Sequence, residues 1–488
     1  MNTQTASCMN TQTTQYEQAC LRNAILPASA ACVLAALEAA GHEAWVVGGW
    51  VRDALMGIPS HDVDMCCSAL WQDSEAALIA AGIQVERSGI KFGGLTAIVG
   101  GERIEVTTYR IDGFYTDSRH PEQIEAAACV EDDLSRRDFT VNAMAWHPTR
   151  GLLDLFGGER DLQMRVLRCV GEPTRRFKED ALRMLRAIRF AARLNFTIDA
   201  ATHAALDECA PLLDAIARER VGVELCGMLK ASGVHAMLQA CPHLICQAID
   251  ELCPSYQFDQ KTPYHCYDVY EHTVHVVEQA TNLYCTHHET DEFIVLSNMW
   301  AALLHDVGKP ACFSVDEAGQ GHFFGHPHMS VTLASPIFKR LSINSDIAKR
   351  ALVLIEHHDE RVALNQSDVL YYMHRLVADK NYKRRCGVES DIELFDQMID
   401  LRIADTRAKA QAYRDYESEL EQMRSMMHEL VSSGAAYSTA TLNISGKDLI
   451  AHGVEPGKQI KQMLDCALNA CMSGECNNET EALLAYLL

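Results

Sequence analysis

The stretch VVGGWVRDALMGIPSHDVDM, Val46 to Met65, constrains this chain more than any other. EAWVVGG reads as a strand entering a glycine turn, and WVRDALMG as the helix that leaves it. Glycine lets the backbone turn tightly, and the exposed N–H groups at the helix start suit phosphate oxygens. Asp62 and Asp64 follow with one residue between them. In a strand, residues i and i+2 point to the same side, so the two carboxylates face one point. Like charges held that close repel unless cations sit between them, and Mg²⁺ is the ion that combines carboxylate with phosphate oxygens. The pattern suits in-line displacement at a nucleotide α-phosphate: one ion activates an attacking hydroxyl and another stabilises the leaving pyrophosphate.

The chain has 488 residues, too many for one compact core, and fits about two to four domains. Its net charge of −23 excludes a protein that coats nucleic acid over its whole surface, so any such site is local. One basic island exists: Glu159 to Arg193 holds ten Lys/Arg against five Asp/Glu. The 19 cysteines are scattered and no secretory leader precedes them, which reads as reduced thiols in the cytoplasm. No apolar run approaches the roughly 18 residues that span a bilayer. The expected organisation is a flexible leader over 1–25, where MNTQT repeats, and a small α/β head over 26–170. Helical segments over 171–262, 263–410 and 411–488 follow, with no further strand, for an α+β fold class overall.

GGWVRDALMGIPSHDVD resembles the signature of the tRNA nucleotidyltransferase and bacterial poly(A) polymerase family. The resemblance implies a DNA-polymerase-β-like nucleotidyltransferase head followed by an all-helical neck, an HD domain and a tail. It implies that Asp62 and Asp64 are catalytic and bind Mg²⁺, with Gly48, Gly49, Arg52 and Asp53 around the nucleotide. Glu105, in RIEVTTYR, is either a third metal carboxylate or a solvated strand residue. LSRRDFTVNAMA is similar to a second family motif, in which Arg136, Arg137, Asp138 and Asn142 contact the incoming nucleotide. The arginines suit triphosphate oxygens, and Asp138 can accept from a ribose 2′-OH. FTVNAMA itself reads as a packed helix.

EDALRMLRAIRF places Asp180 and Arg183 three apart, on one face of a helix. Cytosine and adenine each offer an amine donor beside a ring-nitrogen acceptor, whereas uracil and guanine reverse that order. An Asp acceptor beside an Arg donor therefore fits C and A; the same pair also serves as an ordinary helical salt bridge. The resemblance implies that the pair acts as an amino-acid template for CTP and then ATP. Arg186, Arg189 and Arg193 extend the basic face toward the triphosphate or the acceptor stem. ARERVGVELCGMLK is similar to the family's neck helix and equally reads as a packing helix.

EHTVHVVE, ALLHDVGKP, GHFFGHPH, IEHHDE and RIADTRAKA occur in that order downstream. They resemble the HD phosphohydrolase superfamily, which implies that His272, His305, Asp306 and Asp405 ligate a divalent metal of unspecified identity. Such a mixed N/O site turns a bound water into a nucleophile toward phosphoesters. His326 with either His357 or His358 would add a second ion. The tail LNISGKDLIAHGVEPGKQIKQML resembles the helical end of longer bacterial members; its HGVEPGK segment either presents backbone amides and Lys458 to phosphate or serves as a glycine-proline joint between helices. The whole pattern implies a class II enzyme that joins CTP, CTP and ATP to a tRNA 3′ end, with no membrane and no obligatory protein partner. Its alternatives are a poly(A) polymerase, a CC- or A-adding enzyme, and an HD phosphohydrolase whose head only senses nucleotides.

Overall fold

The computed structural model describes residues 26–488 except 61, 89, 91–92, 113–123, 288 and 384–386. The expected leader falls outside the described residues. The chain divides into two compact units, Met1–Ala217 and Arg218–Leu488.

The first unit is built on a seven-stranded sheet in the order β3-β4-β5-β2-β1-β8-β9. Its strands are β1 (Ala44–Val47), β2 (Asp64–Cys67), β3 (Gln84–Glu86), β4 (Gly94–Val99), β5 (Glu102–Thr108), β8 (Met144–His147) and β9 (Gly151–Asp154). β6 (Arg110–Asp112) and β7 (Ile124–Ala126) pair separately. Only β2 and β5 run parallel within the large sheet. β1 is buried on both faces, as its unbroken apolar run requires, and β2 is buried from Met65 to Cys67. Trp45, Val47 and Cys66 share a core with Tyr109, Val130 and Leu134, the last two from α2 (Val130–Ser135). Before it comes α1 (Gly49–Leu55), which leaves the glycine turn after β1 as the pattern predicts.

FTVNAMA is not a helix. Thr140–Asn142 form one 3₁₀ turn and Met144 then opens β8, because Ala145 and Trp146 pair with Val47 and Val46. A short apolar run carries no periodicity that separates helix from strand, and the β1 edge decided it. Strands also occur where none was expected: Ser314–Val315 pairs with Gly321–His322, and Thr197–Ile198 with Val166–Leu167. The first unit ends with α3 (Pro173–Glu179), α4 (Leu182–Leu194) and the helix Ala200–Cys209.

In the second unit, α5 (Val269–His287), α6 (Glu292–Leu304), α7 (His326–Arg340), α8 (Ser345–His357) and α9 (Gly387–Ala408) pack on one another. Every residue of α6 from Leu296 to Leu304 is buried, so its C-terminal end delivers His305 and Asp306 into the interior. α5 buries a stripe at helical spacing that includes His272. No helix among the described residues is long and apolar enough to cross a membrane.

The 3₁₀ turn under the head is fixed by Gly158: a Cβ there would run into the Thr140 carbonyl oxygen. Asp154 holds the same segment by accepting from the N–H groups of Gly158 and Glu159, both at 2.9 Å. Gly158→Ala is expected to lower the stability of the first unit by about 2–3 kcal/mol, as overpacking does. The measurement is the denaturant midpoint, and an unchanged midpoint would contradict the close approach.

Candidate functional site

Three carboxylates meet at the start of β2. Asp62 is exposed just ahead of the strand, Asp64 opens it half-buried, and the intervening Val63 turns inward. The parallel register sets Asp64 against Glu105 on β5, and the antiparallel register sets it against Val47, the residue before the glycine turn. Burial, then the charges of Asp62 and Glu105, push the Asp64 carboxyl up to about 6, while Arg137 opposes the rise. The strand pairing thus brings Glu105 to the paired aspartates, a juxtaposition that spacing along the chain left open.

Gly48 has φ +72°, which favours glycine, and a Cβ there would lie 3.0 Å from Arg137 Nη1. The next residue, Gly49, begins α1. On that helix the buried Arg52 donates to Asp53 Oδ1 (2.8 Å) and to Asn142 Oδ1 (2.6 Å). Arg136 and Arg137 both pair with Asp133, at 2.8 and 3.1 Å. Asp133 is fully buried; although burial opposes it, Arg137 and Arg136 hold its carboxyl below the usual range. Sequence reading missed Asp133, whose one signal is its three- and four-residue spacing to the arginines on a short helix.

Asp138 is buried and accepts four hydrogen bonds: from Arg186 Nε (2.8 Å) and Nη2 (2.6 Å), Asn142 Nδ2 (3.2 Å) and the Phe139 N–H (2.9 Å). That fills the acceptor capacity of a carboxylate. A ribose hydroxyl therefore reaches it only by displacing a protein donor. The guanidinium groups of Arg52, Arg186 and Arg189 all lie over the Phe190 ring, 5.6, 5.2 and 4.6 Å from its centre. The aromatic face lets three cations gather where like charges would otherwise disperse.

Asp180 and Arg183 do not ride one helix face. Asp180 sits between α3 and α4 with extended backbone (φ −147°, ψ 104°), and its Oδ1 accepts from the Leu182 N–H at 3.0 Å. A short polar side chain that bonds forward to the backbone starts a new helix instead of continuing the old one. Arg183, in the first turn of α4, donates to Glu179 Oε2 (2.9 Å) and to the Arg136 carbonyl (3.1 Å). The two residues flank the junction.

In the second unit, the buried His272 lies 3.0 Å from Asp405 Oδ1, and His305 Nε2 lies 3.1 Å from Asp306 Oδ2. His326 and His358 approach Asp306 Oδ1 at 3.2 and 3.7 Å and each other at 3.3 Å. Two groups there have donor atoms close enough for one cation: His272, His305 and Asp405, and His305, Asp306 and His358. Nε2 of His305 and both oxygens of Asp306 are buried without a hydrogen bond of good geometry, which suits them to ligate a cation. Of the two neighbouring histidines, His358 joins this cluster. His357 turns away to Asp379 and Glu360; although burial opposes its protonation, those carboxylates raise it to about 9.

Two lysines complete the cluster: Lys309 lies 2.7 Å from Asp306 and Lys409 lies 2.6 Å from Asp405. Burial opposes ionisation, yet His305 and Lys309 keep Asp306 well below the carboxylate range, and Lys409 and His272 do so for Asp405. Sequence reading missed Lys409, whose one signal is its four-residue spacing after Asp405. His265, whose ring centre is 4.6 Å from that of His272, was not, because it stands on a loop. A cavity of about 710 Å³ opens beside His265, His358, Asp405 and Lys409.

These features define a nucleotidyltransferase head joined to an HD domain. A profile of the Poly A polymerase head domain matches residues 44–168, one of the HD domain matches 269–388, and one of tRNA nucleotidyltransferase domain 2 matches 396–487. The CCA-adding enzyme of Streptococcus gordonii is 30% identical over 460 residues, covering 93% of this chain and 95% of that protein. That of Streptococcus suis is 42% identical over 212 residues, 43% of this chain and 52% of that protein. The crystal structure of Bacillus stearothermophilus CCA-adding enzyme in complex with CTP shares the fold, with TM-score 0.62, 24% identity, and coverage of 95% of this chain and 97% of that one. The Thermotoga maritima CCA-adding enzyme complexed with tRNA gives a TM-score of 0.61 at 21% identity, covering 96% and 98%. The chain belongs to the CCA-adding enzyme family.

The position of Asp64 has a pH consequence. A carboxyl whose folded pKa is raised favours folding below its ordinary value of 3.8, and this contribution is lost as pH rises to about 6. In metal-free protein, Asp64→Asn is expected to raise stability by about 1–2 kcal/mol at pH 7.5, after discounting for partial exposure, and not at pH 4. Denaturant unfolding in chelator at the two pH values measures it. An equal effect at both would contradict the carboxylate coupling.

Proposed function

We propose that this chain joins CTP, CTP and ATP in turn to the 3′ end of tRNA and releases pyrophosphate at each step. The observation that carries the reading is the convergence of Asp62, Asp64 and Glu105 beside the Gly48 turn, in a chain related over nearly its whole length to a CCA-adding enzyme. Three carboxylates with one raised toward neutrality fit divalent cations, and Asp62, Asp64 and Glu105 would hold Mg²⁺. When bound there, Mg²⁺ supplies activation of the attacking hydroxyl and charge neutralisation at the leaving pyrophosphate. The Gly48–Gly49 turn, Arg137 and the arginines gathered on Phe190 would receive the triphosphate. Arg52 and Asn142, bonded to each other, hold that wall in place.

Asp180 and Arg183 would present an acceptor and a donor to the base edge from the α3–α4 junction, which admits C and A and rejects U and G. A side-chain template at a junction between helices can shift when the first two additions give way to the third. The basic island from Glu159 to Arg193 and the helical tail would hold the tRNA. We take the functional segments at the limits read from the sequence: head 26–170, neck 171–262, HD domain 263–410 and tail 411–488. We assign the protein to the cytoplasm.

A second activity rests on a separate observation, the buried His/Asp cluster with its adjoining cavity. His272, His305, Asp306 and Asp405 would hold one divalent ion, with His326 and His358 available to another. Such an ion supplies a nucleophilic water. The substrate would be a 2′,3′-cyclic phosphate or a phosphomonoester on RNA.

Asp62→Ala is expected to reduce labelled nucleotide incorporation into tRNA by at least about 10³-fold and to leave phosphoester hydrolysis unchanged. Asp306→Ala is expected to do the reverse. Incorporation that survives Asp62→Ala would remove the head from the chemistry.

A further inference from the structure

The cavity beside the histidine cluster contains more than phosphate chemistry requires. Its lining includes Tyr264 and Tyr413, whose ring centres are 4.7 Å apart with planes at 63°. Both stay exposed, at 43% and 38%, so their ring faces are not consumed in a core. Tyr264 precedes His265 on the loop before α5, and its carbonyl accepts from the Ala410 N–H at 2.9 Å. That bond ties the loop to the segment just after α9, next to Lys409 and one turn beyond Asp405 at the end of that helix. Tyr413 lies on the 3₁₀ turn that follows. The aromatic pair is therefore fixed, through a few backbone bonds, to the carboxylate that would hold the ion. Lys409, on Asp405, with Arg361 and Arg402, supplies the cations of the same lining, beside the carboxylates of Asp359, Glu360 and Asp368.

A volume of about 710 Å³ lies within the range of nucleotide-sized sites. A phosphate needs the cations and the ion alone. Accessible ring faces a short distance away offer a stacking surface, which nucleobases of every sequence use. We propose that Tyr264 and Tyr413 stack the base of a ribonucleotide whose 2′- or 3′-phosphate faces the His/Asp cluster, and so restrict this site to nucleotide phosphoesters. The proposal rests on the hydrolase reading of the second unit. It adds two specificity residues outside the ligand set, and the ribonucleotide is either an RNA 3′ end or a free mononucleotide.

The test compares two double variants in the full chain with Mn²⁺. Tyr264→Leu with Tyr413→Leu keeps apolar packing and removes the ring faces, whereas Tyr264→Phe with Tyr413→Phe keeps both. For adenosine 2′-phosphate, the Leu pair is expected to raise KM about tenfold with kcat little changed, as loss of one stacked base does. β-Glycerophosphate, which has no base, is expected to show no change, and the Phe pair to match the parent protein on both. An oligoribonucleotide ending in a 3′-phosphate, assayed alongside, distinguishes the sources: a tenfold effect on it as well identifies an RNA end, and an effect on the mononucleotide alone identifies the free nucleotide. Adenosine binding, followed by saturation-transfer NMR with saturating CTP to fill the head, needs no turnover and is expected to weaken in the Leu pair only. An unchanged KM for adenosine 2′-phosphate, an equal rise for β-glycerophosphate, or unchanged adenosine binding overturns the proposal. Absence of all phosphoester hydrolysis instead overturns the hydrolase reading, and the adenosine measurement then still decides the role of the tyrosines.

Discussion

Repulsion among Asp62, Asp64 and Glu105 is the constraint around which the head is arranged. The sheet fixes it: the parallel β2–β5 register leaves Asp64 facing Glu105, and both strands are anchored by buried residues, Met65 to Cys67 on β2 and Ile104 and Val106 on β5. The Asp64 carboxyl, pushed up to about 6 by burial first and then by the charges of Asp62 and Glu105, is a group that the fold stabilises poorly as an anion. The nearest relief from within the chain is Arg137, already committed to Asp133. The structure therefore holds negative charge in place at some cost to stability, the condition under which divalent cations bind firmly and a functional site departs from the best-packed arrangement.

The same economy appears in the second unit, with different chemistry. A helix apolar on all sides drives its C-terminal His305 and Asp306 inside, where desolvation opposes charge. Here lysines accompany the carboxylates, so Asp306 and Asp405 remain ionised despite burial. The two clusters differ in solvent access and partners, which allows one chain to carry a solvent-facing transfer site and an enclosed N/O site.

Local chemistry was legible in the sequence; chemistry set by tertiary pairing was less so. The Gly48 turn follows from backbone geometry over a few residues and stands as the pattern predicts, whereas of the two aspartates read as strand neighbours only Asp64 lies in β2 and Asp62 just precedes it. The HD residues were legible because five separated fragments occur in order. Glu105 stayed open because a strand register between distant segments leaves no local trace. FTVNAMA was misread because a seven-residue apolar run fits either period until a neighbouring edge strand claims it. Asp180 was placed within a helix because the apolar residues that follow it repeat at helical spacing; the bond to the Leu182 N–H that sets it apart involves one side chain. Asp133 and His265 act through burial and ring contact, which composition does not encode.

The most direct test is to supply purified protein with tRNAs ending before CCA, after C and after CC, in Mg²⁺ with labelled CTP and ATP. Stepwise growth of each primer that stops at CCA, and no growth in chelator, is the result expected of a carboxylate-held metal site with a side-chain template. Unlimited adenine addition, addition of C alone or A alone, or growth without a divalent ion would contradict it.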